Sequence, residues 1–254
     1  MKFIFVLGGI VLVFSSCFVN RGPVVSYNSP AFHNNDVLYQ PKPILADSVH
    51  HAAYVSASVI NGDAPNANDQ LSAGALNLGM AFTLKHFNFA YGVFGAAGTF
   101  ENGTIPPAQD YYFTKKFVGL TGERASINYY ITSGHVDIRI IGLEATYSHE
   151  FGSYADFRRQ VAGQPNFFSD PRTNLFTWGG SSEVIWYSRD PSFIRYGFRL
   201  FIGQTNATYE QNNYFSTYSK TRAAASLAYF MQLKRYYMSV DLSEGAHFTL
   251  GYCF

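Results

Sequence analysis

The chain has 254 residues, with Lys+Arg 18 against Asp+Glu 17, a net charge of +1 and only 14% charged residues. That balance excludes a basic nucleic-acid footprint and an acidic disordered tail, and a hydrophobic content of 47% excludes extensive disorder. Phe 24, Tyr 19 and Trp 2, set beside Gly 22, suit a sheet protein whose outer face meets something other than water.

Residues 1–16 read as a signal peptide. Lys2 is its positive end, an apolar run from Phe3 to Phe14 follows, and Ser15 and Ser16 are the small residues before cleavage. The run is too short to cross a bilayer as an ordinary helix. Cys17, directly after Phe14-Ser15-Ser16, resembles the lipobox of bacterial lipoproteins, with Phe14 where Leu is usual. That resemblance implies cleavage before Cys17 and its lipidation with a palmitate-type chain. The other cysteine is Cys253, so a lipidated Cys17 leaves no intramolecular disulfide. Residues 17–49 carry Pro23, Pro30, Pro41 and Pro43 among Asn and Ser, and are expected to form an extended tether.

From residue 50 the texture changes to alternating apolar and small or polar residues. The alternation predicts ten strands near 50–61, 70–84, 87–100, 124–132, 136–151, 174–188, 193–206, 215–232, 236–243 and 246–254, with eight strands as the second choice. A helical turn or two is expected within Asp110–Leu120. In Ile194–Ile202 one face is Ile194, Tyr196, Phe198, Leu200 and Ile202, and the other carries Arg195, Gly197, Arg199 and Phe201. Elsewhere the non-apolar face is repeatedly Gly, Ala, Ser, Thr or Asn. A solvent face normally carries Lys and Glu, whereas a narrow barrel interior needs small residues and paired charges. After residue 17 no second apolar run of eighteen residues appears, so membrane embedding would require a closed barrel.

Short connections follow the second, fourth, sixth and eighth strands, and longer ones, above all 101–123 and 152–173, lie between. Outer-membrane barrels alternate short periplasmic turns with long external loops in this way. The last strand ends with Tyr252 and Phe254 on one face, a pattern similar to the signal that such barrels show to their assembly machinery. Residues 50–254 thus resemble the small outer-membrane β-barrels of Gram-negative bacteria. The resemblance implies an all-β, closed antiparallel transmembrane barrel, anchored by lipid in the outer membrane. Its expected neighbours are outer-membrane lipid and other outer-membrane proteins, with no nucleic acid.

Inward positions should carry Arg139, Glu144, Glu183, Arg195, Arg199 and Asp241, paired with one another because a lone buried charge is very costly. Tyr147-Ser148-His149-Glu150 suggests a hydrolytic triad, but adjacent strand residues point to opposite faces and cannot converge. His149, His247, Ser148 and Asp156 are the remaining candidates for a rim site. The seven His show no metal-ligand spacing, and no phosphate loop is present, so neither metal nor other cofactor is expected. Trp178, Trp186, Tyr187 and Tyr196 fit interfacial belts. Two loops are rich in the residues that protein interfaces favour: Tyr111, Tyr112 and Phe113 in the first, and Phe157, Arg158, Arg159, Phe167 and Phe168 in the second. They either contact a partner or fold down and pack on each other. The favoured function is a non-enzymatic structural or accessory subunit of a larger outer-membrane complex for secretion, uptake or outer-membrane protein assembly. A rim-site enzyme acting on lipid A or peptides, and a narrow transport pore, are the alternatives.

Overall fold

The computed structural model describes residues 26–33, 36–37, 39–42, 51–63, 69–103, 105, 110–164, 167–188, 194–213 and 216–254, with the backbone alone at 26–27, 63, 168 and 207–222. The signal peptide, Cys17 and the rest of the tether lie outside these residues.

Ten strands close into an antiparallel barrel. They are β2 (His51–Asp63), β3 (Gln70–Thr83), β4 (Phe87–Glu101), β5 (Lys115–Ser133), β6 (Val136–Phe151), β8 (Asn174–Tyr187), β9 (Ile194–Asn213), β10 (Ser216–Leu233), β11 (Tyr236–Leu242) and β12 (Gly245–Cys253). Each pairs with its neighbour in sequence, and β12 returns to β2, with Leu250 opposite Ala57. The period of two therefore sorts every strand into an inward and an outward set. Outward Leu76, Leu78, Met80, Phe198, Leu200 and Ile202 are exposed, while inward Asn77, Arg195, Arg199 and Phe201 are buried. The alternation breaks where two β-bulges interrupt β6. Ile140 and Ile141 there both face outward, and inward Arg139 and Gly142 stay in phase on either side.

Large and small residues interlock inside the wall. The Tyr54 ring lies across inward Gly79, and Tyr237 lies across Gly251, in space that a Cβ on either glycine would occupy. This is why the inward face is rich in glycine although strands disfavour it.

Four expectations change. The fifth strand begins at Lys115, so no helical turn occupies the end of Asp110–Leu120; the helix among the described residues is α1 (Ser153–Val161). Its nine residues bury Tyr154, Ala155, Phe157, Arg158 and Val161 on one stripe, too short a period to stand out in sequence. β9 and β10 run on to Asn213 and from Ser216, turning the expected 207–214 loop into a long ribbon. Two short strands, β1 (Ser26–Asn28) and β7 (Phe167–Ser169), pair in parallel outside the barrel ladder. Tyr187 faces inward rather than into a belt, its hydroxyl donating to the Gly134 carbonyl at 3.1 Å. No helix among the described residues is long and apolar enough to cross a membrane, which says nothing of crossing by strands.

Candidate functional site

The lumen is occupied by the chain's own N-terminal segment. Asn28, Ser29, Ala31, Phe32, His33, Asp36, Val37, Tyr39, Gln40 and Lys42 are all buried. This part of the expected tether is instead a plug. Several of its polar groups bond to inward residues of the wall, as a low-dielectric interior favours.

The plug enters at the end of the long connections. Its β1 pairs with β7, and the Tyr154 hydroxyl of α1 donates to the Ser29 carbonyl at 3.2 Å. The Ala31 amide donates to Glu150 Oε2 at 2.7 Å, and Glu150 pairs with Arg158 at 2.6 Å, both side chains fully buried. His33 meets Glu244 at 2.5 Å. Further in, the Ser148 hydroxyl donates to Asp36 at 3.0 Å. Nearer the short turns, Tyr39 stacks on Phe230 with ring centroids 4.2 Å apart, and its amide donates to Asp241 at 3.1 Å. Lys42 then lies 4.0 Å from Glu183, which also holds Arg139 at 2.6 Å. The segment thus crosses the lumen from one end to the other.

The six charges read from sequence all point inward, in an arrangement that includes the plug. Arg199 grips Glu144 through Nε at 2.9 Å and Nη2 at 2.5 Å, a bidentate pair. Arg139 pairs with Glu183. Arg195 donates to the amide oxygen of Gln232 at 2.8 Å. Asp241 accepts from the plug and from Ser239 at 3.1 Å. Sequence reading missed Glu150–Arg158, Asp36 and Lys42. The last two sit in a tract with no period, where only buried-type residues such as Phe32, Val37 and Tyr39 hint at burial.

The rim candidates do not converge. Ser148 faces the plug, whereas His149 faces outward and meets Asn174 at 2.7 Å. His247 is buried 3.4 Å from Ser243, and Asp156 is exposed on α1 beside Arg159. No group of His, Cys, Asp and Glu among the described residues is arranged to hold a metal ion. The loop aromatics split. Phe113, Phe157 and Arg158 are buried, with Phe113 and Phe157 at 4.7 Å and Tyr154 stacked on Phe100 at 3.8 Å, so the loops cap the barrel mouth. Phe167 packs edge-on against Tyr111 at 5.7 Å. Tyr111, Tyr112 and Arg159 remain exposed, and the Phe168 side chain lies outside the described residues. Tyr252 and Phe254 meet edge to face on the outside of the last strand, their ring centroids 5.0 Å apart.

No family model matches the chain, and no curated protein matches it. Among solved structures it is similar to the transport unit of the autotransporter AIDA-I from Escherichia coli, with 8% identity, a TM-score of 0.36, and coverage of 88% of this chain and 97% of that one. It is also similar to a deltaS2S3 mutant of TodX, a monoaromatic hydrocarbon channel, with 10% identity, a TM-score of 0.32, and coverage of 91% and 73%.

Proposed function

We propose that this chain is an outer-membrane β-barrel, anchored by lipid at Cys17, that serves as a structural or accessory subunit of a larger outer-membrane complex. The observation that carries the reading is the plugged lumen. A barrel whose interior is filled by its own segment, locked by buried ion pairs, offers its wall and its capped mouth to the surroundings rather than a passage. The apolar outward face supports placement in a bilayer, with the short turns on the periplasmic side and the long connections outside. Purification in mild detergent from the organism that makes the protein should recover other outer-membrane proteins with it. Recovery of the monomer by itself would count heavily against the subunit reading. For the anchor, Cys17→Ala should abolish metabolic labelling with a fatty acid, and labelling that survives would remove the lipid.

A further inference from the structure

Within the apolar outward band, one side chain among the described residues is charged: Glu123 on β5, exposed on the wall between Val93 and Tyr147. Its depth follows from the register. One row across the barrel runs Phe176, Tyr147, Glu123, Val93, Leu78, Val55, Tyr252, Tyr236. Asn206, which accepts the Phe176 amide at 2.8 Å, extends it at the long-loop end. With strands about 4.8 Å apart and tilted about 40°, each step changes depth by about 3 Å. Glu123 therefore lies about 9 Å below Asn206 and about 15 Å above Tyr236, well inside the band. Its carboxylate accepts from the Tyr91 hydroxyl at 3.0 Å. Tyr91 is nearer the short turns, so this bond draws the carboxylate toward the bilayer centre and away from the nearer headgroups.

Beside it the wall is thinned. Val59, Asn61, Ser72, Gly74, Ala97 and Thr99 line a shallow groove of about 400 Å³ on the outside of β2–β4. Gly95, opposite Thr121, continues it toward Glu123. A Cβ at Gly74 would meet nothing within 4 Å. No intramolecular contact requires a glycine there, yet the position lacks the side chain that a lipid face would favour.

We infer that the β3–β5 wall docks a transmembrane segment of a second protein, one that brings a Lys or Arg to Glu123 and seats its backbone over Gly74. The acid selects the partner's chemistry: a carboxyl within hydrocarbon is stabilised by an opposite charge brought to it, and the groove admits a close backbone. Among the described residues, this chain's own outward band carries no cation to meet Glu123. The inference rests on the membrane reading above. To test it, a photo-crosslinking residue replaces Val93 in the full chain, in cells that make it natively, with Val240 on the opposite wall as control. A cross-linked product from position 93 and none from 240 is expected, mapping to a partner segment that contains Lys or Arg. Glu123→Gln, which keeps an acceptor for Tyr91, and Gly74→Leu, whose Cβ enters open space, should each lose the product while the folded band on gels is unchanged. No product, a product with a second copy, a mapped segment without a cation, or a product surviving both variants overturns the inference. If a fluorophore at position 198 is still quenched by nitroxide lipids, docking alone has failed; without that quenching, the membrane reading has failed.

Discussion

Arg199 and Arg195 point into the same lumen from one strand, two rungs apart, yet their removal should differ in cost. Arg199→Leu strands Glu144, because both of its bonds from that guanidinium vanish, and breaking a buried ion pair costs about 3–5 kcal/mol. Arg195→Met removes the donor to the neutral Gln232 amide oxygen, and losing that bond costs about 1–3 kcal/mol. The barrel's heat-modifiable band should be lost at a clearly lower temperature in Arg199→Leu than in Arg195→Met. Adding Glu144→Leu to Arg199→Leu should restore much of the difference. Equal unfolding temperatures for all three variants would show that these guanidiniums are wetted and exchange their partners for water.

Among the elements, the plug behaves unlike the strands that surround it. Every strand shares a continuous ladder, whereas residues 28–42 are held by side-chain contacts spread over β5, β6, β8, β10 and β11. Their removal leaves the ladder intact, since none of the barrel pairings passes through them. Deleting residues 28–42 should therefore yield a folded barrel that conducts ions in planar bilayers, where the full chain conducts nothing. A deletion variant that stays folded and silent would mean that the wall side chains close the lumen by themselves.

For the whole molecule, closure decides how the outer surface meets its surroundings. With β12 paired to β2, no strand edge is left in the ladder, and the described outward face is an apolar band interrupted by Glu123 and the groove over Gly74. Phe198 and Leu200, 47% and 43% exposed, face outward from the short-turn half of β9. A fluorophore at either position, with Cys253→Ser as background, should be quenched by lipid-borne nitroxide and should resist water-soluble reagents in intact membranes. Leu200→Arg should destabilise the barrel by about 2–4 kcal/mol, the cost of an arginine facing lipid at mid-depth. Absence of quenching at both positions would sink the membrane placement.

By itself the sequence favoured ten barrel strands over eight, sorted the two faces of Ile194–Ile202 and pointed Arg139, Glu144, Glu183, Arg195, Arg199 and Asp241 inward. These follow from a period of two, which is local and survives in any window of ten residues. It also isolated Phe198 and Leu200 on the outer face and Arg199 opposite them. Tertiary structure alone decided the rest. Asp36, Tyr39 and Lys42 belong to a segment without periodicity, and what buries them is the wall of strands far away in the chain. Glu150 finds Arg158 because α1 folds back over the mouth, and Arg195 finds Gln232 because β9 and β10 pair in one register. Glu123 reads in sequence as one more acid in an alternating strand. Its place in the apolar band depends on strand tilt and on a row of residues drawn from every strand between β9 and β11 across the β12–β2 seam. Alternation is a property of one strand, but depth, pairing and plugging are properties of the closed barrel.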